Sequence, residues 1–222
     1  MEYSLVHSLP PASFEILENV CAVLKGITPG FQIDIVDGVF APSVSWPFAE
    51  PSPQEALRKI KQFTTDFEIE VDCMIMYPEK YLSLFVELGV KRVIVHIGST
   101  DAYSAIVKHA KEHGYKIGFA FTNDVPLSFI YPYIGKIDFV QVMGITQVGR
   151  QGEPFDTRTL TTVTTLREQY PELEIAVDGG VNAQTIPKLL EVGVNRFAPG
   201  SAIAQAENPA DAYKQLLSLM RK

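Results

Sequence analysis

The chain has little of what marks a secreted, membrane-spanning or nucleic-acid-binding protein. Its 222 residues include only two cysteines, Cys21 and Cys73, too few for a disulfide framework. No C-x-x-C or H-E-x-x-H spacing occurs, so the common zinc motifs have no carrier. No apolar run approaches the length of a membrane span, and the N-terminus lacks the basic segment and apolar core of a signal peptide. A cytoplasmic protein with no membrane partner is therefore expected. Lysine and arginine number 19 against 26 acidic residues, for a net charge of -7, and they form no run, which argues against a nucleic-acid partner. What is present is apolar mass: 46% hydrophobic residues are enough for a sizeable core.

That apolar mass is arranged in recurrent runs. Strands are expected at about 3–9, 31–36, 67–75, 92–97, 115–121, 137–143, 173–178 and 194–199. Amphipathic stretches lie between them, among them Pro53 to Phe63, Pro78 to Leu88 and Pro154 to Tyr170, each opened by a proline as helices often are. Gly89 and Gly193 follow helical patterns, where C-cap glycines belong. No linker or low-complexity segment interrupts the series. Eight strands alternating with helices predict a single (β/α)8 barrel of TIM type over residues 1–222, with a doubly wound open sheet as the alternative.

The segment Ile175 to Ile203 says most about ligand. Asp178-Gly179-Gly180 follows one apolar run and Gly200-Ser201-Ala202 another, with a helical stretch between. Two strands so placed are parallel neighbours. Their glycine turns lead into helices, and backbone N–H groups there cradle anions. In an eight-stranded barrel this is the usual phosphate position. Gly179, Gly180, Gly200 and Ser201 are thus phosphate candidates, with Gly152 from the loop after strand six; the plain alternative is tight turns alone.

Alternation along strand two places Gln32, Asp34 and Val36 on one face and Ile33, Ile35 and Asp37 on the other. A carboxylate inside a barrel is costly unless paired or ligated, which favours a functional Asp34 and, at the end of strand seven, Asp178. Asp37 before Gly38 reads as a turn residue. His96 reads as a satisfied core histidine. Asp72 is divided between function and a structural pairing. Met74 and Met143 read as core by type, although their strand-end positions make them substrate-lining candidates. Trp46 either covers the site or packs on the rim.

Taken together, these motifs resemble the ribulose-phosphate 3-epimerase family nearly end to end. The family pattern H-I-D-x-M-D-G-x-F-x-P corresponds to Gln32 through Pro42, and D-x-H-L-M followed by P-E-R-Y corresponds to Glu70–Met74 and Pro78–Tyr81. G-F-G-G-Q-x-F becomes Gly149 through Phe155, while V-D-G-G-I/V-N and G-S-A-I stand intact at Val177–Asn182 and Gly200–Ile203.

The resemblance implies a ribulose-phosphate-binding barrel that epimerises C3 of a ketose phosphate. Asp34 and Asp178 would exchange protons on opposite faces of the carbon. It implies a divalent metal at Gln32, Asp34, Asp72 and Asp178, and a homo-oligomer. Here Gln32 and Asp72 replace both metal histidines. The remaining donors are oxygen, suited to Mg²⁺ or Mn²⁺ rather than Zn²⁺, or to no metal if a protonated Asp takes over. Alignment of the family's L-S-A-D-F with Pro10–Phe14 puts Pro11 in place of a substrate-contacting serine, and Gln151 and Glu153 replace a glycine and a glutamine of the phosphate loop. Two other classes stand beside epimerisation. One is a decarboxylase or isomerase on the same scaffold, disfavoured because the D-x-K-x-x-D motif is missing at Asp72–Tyr77. The other is a non-catalytic sugar-phosphate binder.

Overall fold

The structure, a computed structural model, describes residues 3–150 and 152–220. Its first strand is broken at Val6 into β1 (Ser4–Leu5) and β2 (His7–Leu9). The chain continues through α1 (Phe14–Leu24), β3 (Gly30–Val36), α2 (Pro53–Leu57), β4 (Glu68–Met74), α3 (Leu82–Leu88), β5 (Arg92–His96), α4 (Tyr103–His113), β6 (Lys116–Thr122) and β7 (Phe139–Met143). It ends with α5 (Arg158–Gln169), β8 (Glu174–Asp178), α6 (Ile186–Glu191), β9 (Arg196–Ala198), α7 (Ser201–Ala204) and α8 (Pro209–Ser218). Every strand pairing is parallel, in the order β1-β9-β8-β7-β6-β5-β4-β3-β2. The ring closes through the broken first strand: Val6 N donates to Phe197 O at 2.9 Å on one side, while His7 registers with Phe31 on the other. This is the (β/α)8 barrel the strand spacing predicts.

The strands agree with the expected runs; the helices differ in instructive ways. Pro53 does open a helix, but regular α geometry stops at Leu57 and a 3-10 turn carries Arg58–Phe63. Pro78–Lys80 is likewise a 3-10 turn before α3. Helix α5 starts at Arg158 rather than Pro154, because Asp156 N is held by Gly144 O at 2.8 Å and the chain stays in the loop until then. Gly89 and Gly193 do follow helices, with φ of 83° and 94°, conformations that favour glycine.

The apolar core is mostly the shell between sheet and helices. Ile33 and Ile35 of β3 pack there with Leu17, Cys21 and Leu24 of α1. Inside the barrel a smaller cluster forms from Ile94, Ala120, Phe139, Met143 and Ala176. Phe139 fits because its register neighbour is Gly118, where a Cβ would stand 2.2 Å from the ring. Below it, at the N-terminal strand ends, Glu70 accepts from Arg92 Nε at 2.5 Å and Arg196 at 3.0 Å, and Arg92 also bonds Glu174. The opposite end of the interior is polar as well.

Candidate active site

The polar residues of the upper interior come from alternate positions of several strands. Gln32 and Asp34 rise from β3, Asp72 from β4, His96 from β5, Gln141 from β7 and Asp178 from β8; all are buried. Gln32 Nε2 donates to Asp34 Oδ1 at 2.8 Å and to Asp178 Oδ2 at 2.6 Å, so a single amide spans the two carboxylates. Ser8 Oγ donates to Asp178 Oδ1 at 3.3 Å. Asp72 forms a second group, its oxygens contacting His96 Nε2 at 2.8 Å and Gln141 Nε2 at 3.0 Å.

This crowding has an electrostatic consequence. Burial, followed by the neighbouring charges of Asp178 and Asp72, raises the Asp34 carboxyl well above its ordinary range, although the Gln32 hydrogen bond works the other way. Asp178 is raised to about 7, again first by burial and then by Asp72, with Gln32, the Gly179 N–H and Ser8 opposing. Two neighbouring acids whose proton affinity is raised by burial and by each other's company are suited to giving and taking protons.

The acids open onto one pocket at the C-terminal end of the barrel. Asp34, Met74, Met143, Gly152, Asp178, Gly179, Gly180, Gly200 and Ser201 all line it, so the structure brings every proposed catalytic and phosphate residue to one place. Gln32 and Asp72 lie beneath rather than on its wall. The pocket is a slot with about 480 Å³ of empty space counting its open mouth. Its base is tightly built. Gly144 N donates to Asp178 O at 2.6 Å, and a Cβ on Gly144 would stand 2.2 Å from Gly179 O. Gly179 and Gly180 have φ of 93° and 67°, presenting the turn a phosphate would meet.

Ser8, His96 and Gln141 belong to this site although sequence reading passed them over or gave them to the core. His96 is satisfied, but by an interior carboxylate; Asp72 accordingly pairs with His96 and Gln141 rather than with an arginine or a helix end. The alternation Phe139-Val140-Gln141-Val142-Met143 carried the signal for Gln141, and His7-Ser8-Leu9 that for Ser8. Pro11 is not on the pocket wall; its carbonyl accepts from Trp46 N at 2.7 Å, and it is Ser8, earlier in the same segment, that reaches the acids. Asp37 is the turn residue expected, accepting from Val39 and Phe40 N and bridging to Met76 N, each at 2.8 Å. Trp46 is fully buried against Phe14, a packing role. Glu153 lines the pocket, whereas Gln151 lies outside the described residues.

Asp34, Asp72 and Asp178 each offer an oxygen, and these atoms lie within 4.8 Å of one another. The Gln32 Oε1 has no partner, and a half-turn of that amide adds a fourth oxygen to the set. The donors therefore fit a hard divalent cation.

A closed parallel barrel with buried acids beneath two glycine turns defines the class: a (β/α)8 enzyme of the kind that handles phosphorylated small molecules at its C-terminal face. The ribulose-phosphate 3 epimerase family model matches residues 4–204. The chain belongs to that family, whose members are isomerases. It is 28% identical over 225 residues to the ribulose-phosphate 3-epimerase of Schizosaccharomyces pombe, covering 100% of this chain and 96% of that one. It is 30% identical over 202 residues to the Bacillus subtilis ribulose-phosphate 3-epimerase, covering 88% and 89%. Among solved structures it resembles a 3-hexulose-6-phosphate synthase, with a TM-score of 0.74, 19% identity and 99% of each chain covered. It also resembles KGPDC from Streptococcus mutans, with a TM-score of 0.75, 14% identity and 100% and 98% covered. At these identities the structural likenesses speak for the fold alone. No helix among the described residues is long and apolar enough to cross a membrane.

Proposed function

We propose that the chain interconverts the C3 epimers of a ketose phosphate, D-ribulose 5-phosphate and D-xylulose 5-phosphate, by proton transfer between Asp34 and Asp178. One carboxylate takes the C3 proton and leaves an enediolate; the other, protonated, returns a proton to the opposite face. The observation that carries this reading is the Gln32 amide, which holds the two acids 2.8 Å and 2.6 Å from one nitrogen at the floor of the pocket. The raised proton affinity of both acids supports one being charged while the other is neutral near pH 7. Glycine turns at Gly179-Gly180 and Gly200-Ser201, with Gly152, would hold the phosphate through backbone N–H groups, and Met74 and Met143 would flank the carbon chain.

The residues that would hold a cation are Asp34, Asp72 and Asp178, with Gln32 once its amide is turned; Mg²⁺ or Mn²⁺ suits this set better than Zn²⁺. Such an ion supplies electrostatic stabilisation of enediolate charge. The same reading takes residues 1–222 as one domain acting in the cytoplasm. Exposed Val39, Val44, Tyr77 and Phe129 support burial against a second copy, which sedimentation velocity would detect.

The test is deuterium incorporation at C3 of ribulose 5-phosphate in D₂O, followed by NMR with metal-free protein and with added Mn²⁺ or Mg²⁺. Exchange that needs the ion supports the cation-assisted form; exchange without it assigns that role to a protonated aspartate. Substrate binding without exchange in either condition overturns the epimerase in favour of a sugar-phosphate binder.

A further inference from the structure

One charged side chain on the pocket wall has no part in the proton transfer. Arg150 lines the mouth beside Gly149 and Gly152, and every other titratable side chain on the wall, Asp34, Glu153 and Asp178, is acidic. Its guanidinium meets the neutral Gln147 Oε1, at 3.4 Å, and among the described residues no carboxylate stands within ion-pair distance of it. The base of its loop is fixed: Ser43 Oγ donates to Gly149 O at 2.5 Å, and Gly149 packs so closely on Ala41 and Ser43 that a Cβ there would stand 3.0 Å and 2.7 Å from them. Arg150 is thus exposed and unpaired, yet anchored at the entrance. A phosphate dianion entering this slot meets backbone N–H groups but also Glu153 and, deeper, the acid pair Asp34 and Asp178 with one member charged, so the field opposes it unless a cation intervenes.

We propose that Arg150 is the cationic contact for the ligand's phosphate, its planar fork binding the dianion and offsetting Glu153 on the same loop. The inference rests on the phosphate reading of the glycine turns and adds the charge that those turns lack. Guanidinium suits the task because it stays charged and grips phosphate oxygens in pairs.

Isothermal titration of the full chain with inorganic phosphate tests this, with thermal unfolding to show that each variant is folded. Arg150→Gln should weaken binding roughly tenfold, the size of one charge-assisted hydrogen bond. Arg150→Lys should recover part of the loss, and Glu153→Gln should tighten binding severalfold. Unchanged affinity in Arg150→Gln, alongside loss of binding in Gly200→Val, overturns the role of Arg150 and leaves the glycine subsite standing. Wild-type protein that takes no phosphate overturns both. An equal loss in Arg150→Gln and Arg150→Lys with no effect of Glu153→Gln rejects the charge balance argued here.

Discussion

His96 Nε2 lies 2.8 Å from Asp72 Oδ1, tying the last residue of β5 to the interior face of β4. Asp72 is completely buried, and Gln141 is its other partner. Removing the imidazole leaves a buried carboxyl short of a hydrogen-bond partner, which costs about 1–3 kcal/mol. His96→Ala should therefore lower the urea midpoint strongly, and His96→Gln, which keeps a donor, should recover part of it. Equal stability of wild type and His96→Ala would show that the contact contributes nothing.

The two acids under Gln32 are expected to fail separately. Asp34→Asn and Asp178→Asn should each lower C3 exchange by about 10²–10⁴-fold while the circular dichroism spectrum is kept, because each removes one proton carrier. A variant that retains wild-type exchange takes its aspartate out of the mechanism.

Stability in metal-free buffer should carry the signature of Asp178. Its proton affinity is raised from the ordinary 3.8 to about 7, so between these values the folded chain holds a proton that the unfolded chain has released. The stabilisation from this group is complete below pH 4 and is lost as the pH rises through 7. Each pH unit in that window is worth up to about 1.4 kcal/mol. His7 acts in the other direction: burial lowers its imidazole from 6.5 to about 4, so its contribution is complete above pH 6.5 and fades as the pH falls toward 4. Asp178→Asn keeps the His7 effect and removes the other. The stability of the variant relative to wild type should climb from pH 4 to pH 7; parallel curves would refute the raised affinity.

Gly118 and Phe139 are matched across β6 and β7. Gly118→Ala places a methyl carbon about where Phe139 ring atoms stand, 2.2 Å from the nearest. Overpacking of this kind costs about 1–3 kcal/mol. Phe139→Leu in the Gly118→Ala background should recover part of that loss, and the two changes should be non-additive in chemical denaturation. Simple additivity would mean that the strands shift to accommodate the methyl group.

How much of this was legible before the structure differs from element to element. The strands could be read because each is a bounded apolar run, and Asp34 because alternation set it apart from Ile33 and Ile35. The glycine turns were legible because Gly179-Gly180 and Gly200 follow such runs directly. His96 could be read as a satisfied buried histidine, but not its partner Asp72: that depends on the register of β4 against β5, and local periodicity carries no information on which residues face one another across strands. Ser8 was missed for the same reason, being brought to Asp178 only when the first strand meets the last. The late start of α5 depends on a hydrogen bond from Asp156 to Gly144, a contact that Pro154 in the sequence does not foretell. Arg150 differs in kind: its meaning comes from the acids around it, Glu153 on its own loop and Asp34 and Asp178 brought in by β3 and β8.

The break at Val6 bears on how the molecule is made. β2 finds β3 within the first forty residues, but β1 waits for β9, whose Arg196 and Phe197 register with Ser4 and Leu5. Tyr213 Oη of α8 then donates to Leu5 O at 3.0 Å, a bond that joins the two ends of the described chain. The pairing of β1 with β9 is therefore a contact of very long sequence separation, of the kind that is slow to form. Until that seam closes, the interior remains an open gutter. The burial of Asp34, Asp72 and Asp178 is thus complete only in the closed ring, which the pairing of β1 with β9 finishes.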